Sequence, residues 1–245
     1  MSKTAFRNTV LAIAAGAILT PCVAFTHDSA DEKHRAHARN VILLIGDGLG
    51  DSEITLARNY LVGAGGRLAL DKLPFTGQMT TYSVREDNPS KPDYTPESAS
   101  TSTAWSTGTK TADGRISTSA GTDQDLTTML ELAQKAGYRT GNVSTADITD
   151  ATPAAAMAHV RSRACRGPSN MTNCPQDRKA VGGPGSIAEQ SVDQGVDVLL
   201  GGGRSRYQQV IDGGPYAGQT VLQAATALGY GIANDRAGML AAIPG

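Results

Sequence analysis

The sequence predicts an α/β fold built on a largely parallel sheet. Three observations lead there. An uninterrupted apolar run at 41–45 reads as a strand buried on both faces, 196–200 reads as another buried strand, and 139–144 as a third. Helical patterning at 51–60, 127–137, 153–160 and 221–228 falls between and after these runs, so strands alternate with helices. Composition is that of a globular chain: 40% hydrophobic and 18% charged, which excludes collagen, coiled coil and a wholly disordered chain. A formal net charge of −1 gives no basic excess for nucleic acid or an anionic membrane surface.

The N-terminus has its own logic. Lys3 and Arg7 precede an uncharged, mostly apolar run at 9–19, and Pro21 breaks it before Cys22, Val23 and Ala24. This is the pattern of a signal peptide over 1–24, and the run is too short for the ~20 residues of a spanning helix. The expectation is export to the periplasm or medium with no stable membrane anchor. Cleavage after Ala24 removes two basic residues and leaves 20 basic against 23 acidic, a net charge of −3. Residues 25–39 are polar and read as a linker, and 40–245 form the folded part. Of three cysteines, Cys22 leaves with the signal. Cys165 and Cys174 remain, either bridged, as an oxidising compartment favours, or as two free buried thiols.

Each element has a local reason. Residues 46–50 (GDGLG) follow the first strand, and Asp51 opens the helix over 51–60. A second strand candidate lies at 77–82. Ser98 begins a helix over 98–107 despite its Ser/Thr content. The helix TTMLELAQKAG closes at Gly137. Pro153 sits at a first-turn position of the helix over 153–160.

Chemistry is expected outside the carboxyl ends of parallel strands. Asp47 follows the first strand between two glycines, where a carboxylate suits a cation. Asp150 and Thr152 follow the third strand, and their oxygens suit a hard ion such as Mg2+. Singly, each also reads as a helix cap or turn residue. The glycine loop departs from the dinucleotide fingerprint, since Asp51 stands where the third glycine belongs. Ser98 lies at the positive end of a helix, a field that favours an alkoxide and holds a phosphate; the other reading is an N-cap serine.

Together, NVILLIGDGLGDSEITLARNY, TGQ at 76–78, DYTPESAS, TAWSTGTKT, TGNVSTADITDATPAAAMAHVRSRAC and LGGG resemble bacterial alkaline phosphatase from about Asn40 to near Gly245. The resemblance implies a largely parallel central sheet with helices on both faces. It implies Ser98 as the nucleophile that becomes phosphoserine, and Arg163 as the arginine that clamps phosphate. Asp47 then bridges Zn2+ and Mg2+, Ser98 also faces zinc, and Asp150 and Thr152 belong to the magnesium site. Cys165 and Cys174 match a family disulfide. The implied reaction is in-line transfer of phosphate from a small-molecule monoester to Ser98, followed by hydrolysis by a zinc-bound hydroxide. The family is commonly a homodimer.

Two departures matter. The family usually places aspartate before the nucleophile, where this chain has Glu97, and one extra methylene there can shift the arginine. The family's Asp/His-rich metal segments of its second half have no match here, and after Asp150 the one histidine is His159. The expectation is therefore the N-terminal part of an alkaline phosphatase, incomplete and with little activity alone. The alternative is a secreted non-catalytic fragment with weak phosphate or magnesium binding. A sulfatase is disfavoured because its modification motif is missing.

Overall fold

The computed structural model describes residues 39–242. The signal segment and nearly all of the linker lie outside the described residues. The chain divides after Ile45 into two units. Of the first, the described part is 39–45. The expected buried strand at 41–45 is not formed: the segment has no regular secondary structure, and Val41, Ile42 and Leu44 are 79%, 84% and 89% exposed. A strand is defined by ladder partners, and an apolar run supplies only the propensity.

The second unit carries helix α1 (Asp51–Val62), helix α2 (Ser98–Thr107), helix α3 (Met129–Lys135) and helix α4 (Ala151–Ala154). Helices α5 (Ile187–Asp193), α6 (Arg204–Tyr207), α7 (Val221–Ala227) and α8 (Arg236–Ala241) follow. Strands β1 (Ser83–Val84) and β2 (Pro92–Asp93) form a short antiparallel pair, and β3 (Gly141–Asp147) pairs in parallel with β4 (Val198–Gly202). The expected strand at 77–82 is displaced to 83–84, where Val84 is buried. The helix expected over 153–160 starts earlier, because Asp150 accepts from the Ala151 amide as its cap. It also ends earlier: Val160 instead exchanges backbone hydrogen bonds with Ile116 across a bridge.

Small side chains set the packing that matters here. Ala99 of α2 and Ala151, Ala154, Ala155 and Ala158 share one core cluster with Ile116, Cys165, Cys174 and Ile187. With no bulk between them, α2 and α4 approach closely, and the Ser102 hydroxyl donates to the Ala151 carbonyl at 3.3 Å. The Ser/Thr-rich α2 holds because its hydroxyls are satisfied. Thr101 and Ser102 bond back to the Glu97 and Ser98 carbonyls, and Thr103 bonds to the Arg115 carbonyl. A second cluster fills the space around β3, α5 and α7 with Ile148, Met157, Val192, Val196 and Val221. α5 was not expected from the sequence. Its signal was the Ser186/Glu189 capping box, and six of its seven residues are buried. By contrast α1 buries none of its residues; Leu56, Tyr60 and Leu61 are exposed.

Candidate active site

The site forms where the first turns of α2 and α4 meet the 46–50 loop. Gly48 takes φ 73°, a conformation that favours glycine, and turns the chain just after Asp47. Asp47 Oδ2 accepts from the Ser98 hydroxyl at 3.0 Å and from the Thr152 hydroxyl at 2.9 Å. Three candidates from distant parts of the sequence therefore meet on one carboxylate.

Ser98 is not the helix cap. That role falls to Glu97, whose carboxylate accepts from the amides of Ala99 at 2.9 Å, Ser100 at 3.2 Å and Gly114 at 2.7 Å. Ser98 is the first helical residue, so its hydroxyl is left to face Asp47 at the positive end of α2. The longer Glu97 side chain still pairs with the Arg163 guanidinium while it caps the helix. Burial pushes the Glu97 carboxyl up, but the amide bonds and Arg163 outweigh it and hold it below the usual carboxylate range.

Arg163 Nη2 donates to Asp150 Oδ1 at 2.8 Å. The guanidinium is thus strung between Glu97 and Asp150, with its side chain 31% exposed and its position fixed at both ends. Asp150 is a cap and an ion-pair partner together. Burial raises its pKa, but the Ala151 amide and the two nearby arginines win and lower it. The second of those is Arg166, whose Nη2 reaches Asp150 Oδ1 at 2.6 Å. Nothing in the local sequence separates Arg166 from a surface arginine. Cys165 and Cys174 are bridged, with both residues buried. Cys165 stands between Arg163 and Arg166 in the chain, so the bridge to Cys174 ties down the segment that carries both.

The donor set can be tested against the metals the resemblance implies. Asp47, Thr152 and Asp150 offer carboxylate and hydroxyl oxygens on adjoining elements, which fits a hard cation such as Mg2+. Zinc is different. Among the described residues no three His, Cys, Asp or Glu side chains gather to hold a metal. His159 is committed elsewhere, with Nδ1 at 2.9 Å from the Ser117 carbonyl and Nε2 at 3.1 Å from Glu131. The described residues therefore do not fit a zinc site, which normally needs about three protein ligands even when catalytic.

The family profile described as alkaline phosphatase matches residues 38–243. The chain belongs to the alkaline phosphatase family. It is 51% identical over 239 residues to streptomycin-6-phosphate phosphatase of Streptomyces griseus, covering 98% of this chain and 52% of that protein. It is 48% identical over 204 residues to the alkaline phosphatase of Escherichia coli, covering 82% and 43%. The alkaline phosphatase of the Antarctic bacterium TAB5 superposes with a TM-score of 0.62 at 27% identity, covering 80% of this chain and 47% of that one. A mutant of that enzyme is described with Mg bound in its M3 site. The alkaline phosphatase α/β fold is thereby established for this chain. The chain spans about half the length of the curated relatives it matches. No helix among the described residues is long and apolar enough to cross a membrane.

Proposed function

We propose that this chain carries the nucleophile and phosphate clamp of a periplasmic or secreted phosphate-monoester hydrolase, with Ser98 forming a phosphoserine. One observation carries the reading. The Ser98 hydroxyl, at the positive end of α2, donates to Asp47 3.0 Å away, and the same helix start is tied through Glu97 to Arg163. Asp47 can take the Ser98 proton as Oγ attacks phosphorus and the ester P–O bond breaks. The planar Arg163 fork can hold two non-bridging phosphate oxygens, and its two carboxylate partners keep it aimed before substrate arrives. The α2 amides add positive field to the charge that develops. Asp47, Asp150 and Thr152 are the residues that would hold Mg2+. A divalent ion there would shield phosphate charge and favour the ionised hydroxyl.

A second reading has its own support. The described residues lack a zinc donor set, so this chain phosphorylates at Ser98 with little turnover, or binds phosphate and magnesium weakly without chemistry. One experiment addresses both. The purified chain is incubated with a simple aryl phosphate, Zn2+ and Mg2+, then quenched in acid and mapped by mass spectrometry. Phosphate on Ser98 in wild type and none in Ser98→Ala supports the nucleophile. Phosphate at Ser100 or Ser102 sinks the assignment. Turnover close to that of an ordinary phosphatase defeats the reading of low activity. A homodimer, common in the family, is checked on the same material by light scattering.

A further inference from the structure

Asp150 is expected to serve a cation, yet in this structure it already serves two. Its Oδ1 accepts from Arg166 Nη2 at 2.6 Å, Arg163 Nη2 at 2.8 Å and the Ala151 amide at 2.9 Å. Three donors crowd onto one carboxylate oxygen that offers two lone pairs, and two of them bring positive charge. A divalent ion approaching Asp150 must displace a guanidinium or bind beside it against Coulomb repulsion.

The two arginines are not equally free to yield. Arg163 has a second firm anchor in Glu97. Arg166 has Asp147 as its other carboxylate, at a looser 3.4 Å, and its side chain is a quarter exposed. Asp147 lies close against the 201–203 glycine turn. A Cβ on Gly203, which takes φ +84°, would come within 3.0 Å of its Cγ. The weaker-held arginine is therefore Arg166.

We infer that Arg166 is a built-in competitor of the divalent cation at Asp150: it pairs with the carboxylate in the metal-free protein and lowers the affinity of the metal site. The inference rests on the reading of Asp47, Asp150 and Thr152 as metal donors. Removing Arg166 leaves Arg163 and the clamp in place while emptying one donor position on Oδ1.

The test is calorimetric titration of the full chain with MnCl2 alone, without substrate, for wild type, Arg166→Ala, Arg166→Lys and Asp150→Asn. Thermal unfolding confirms that each variant is folded. Arg166→Ala should bind Mn2+ about three- to tenfold more tightly than wild type, the scale set by a partly exposed ion pair. Arg166→Lys, with a single ammonium in place of the fork, should fall between them. It also serves if the alanine variant does not fold. Asp150→Asn should lose the binding. Equal or weaker affinity in the Arg166 variants, with loss in Asp150→Asn, overturns the inference and leaves the metal reading standing. No Mn2+ binding in wild type or either Arg166 variant overturns both.

Discussion

The two carboxylates of the site, Asp47 and Asp150, have opposite surroundings. Asp47 is exposed, sits on a glycine turn, and among the described residues accepts from the hydroxyls of Ser98 and Thr152. Asp150 is half-buried, caps α4, and holds two guanidiniums. The hydroxyl partners of Asp47 are neutral, so its negative charge is not paired with a cationic side chain there. Cationic partners spend the Asp150 charge on architecture. In the proposed reading, Asp47 is the reactive carboxylate, and Asp150 is the supporting one, which a cation reaches only in competition with its arginines. The difference comes from what each one faces.

That contrast can be broken most severely from the supporting side. Cys165 and Cys174 pin the turn carrying Arg163 and Arg166. Replacing both by serine should cost about 2–3 kcal/mol of stability by the loop-entropy estimate, read as a lower midpoint in urea. An unchanged midpoint would mean the turn is held by packing alone. Next comes Asp150→Ala, which removes a cap and a two-arginine partner. It should cost about 1–2 kcal/mol, with Asp150→Asn recovering the cap share of about 1 kcal/mol. Equal losses in the two variants would show that capping contributes nothing.

Acid sharpens the same comparison. Glu97 and Asp150 have lowered pKa values in the folded protein. Their contribution is present above the unfolded carboxyl pKa of about 4 and is lost as pH falls through the depressed folded values. Thermal midpoints should therefore fall below about pH 4, and less steeply in Glu97→Gln than in wild type. Asp177 tests the opposite sign. Burial, then the charges of Asp123 and Asp125, push its carboxyl up to about 6. Its ionisation penalises the fold increasingly from about pH 4 to 6 and fully above. Asp177→Asn should stabilise by about 1 kcal/mol at pH 8, after discounting for partial exposure, and by almost nothing at pH 4. A gain of equal size at both pH values would rule out the charge explanation. The smallest stability effect belongs to the reactive half. Asp47→Asn should shift stability by less than about 0.5 kcal/mol, while phosphoserine formation collapses. A large destabilisation there would erase the distinction between the two carboxylates.

Much of this was legible in the sequence, for local reasons. The starts of α1, α2 and α7, the closing turn at Gly137, and Asp47, Ser98, Asp150 and Thr152 as candidates follow from caps, glycines and strand ends, while Arg163 is marked by the family resemblance alone. Those signals act within a few residues, so they survive without knowledge of the fold. The short α5 escaped because it buries Glu189, Gln190 and Ser191 among its few apolar residues and so shows no apolar stripe of helical period, although its capping box was present. The run at 41–45 misled because apolarity measures a propensity and ladder partners decide the strand. Three decisions belonged to tertiary structure alone. The alanine contact between α2 and α4 brought Ser98 and Thr152 to one carboxylate. Glu97, capping α2, left the Ser98 hydroxyl free. The bridged turn delivered Arg166 to Asp150 beside Arg163. Which charge faces which is settled by distances of a few ångströms between segments far apart in the chain, and no local pattern encodes those distances.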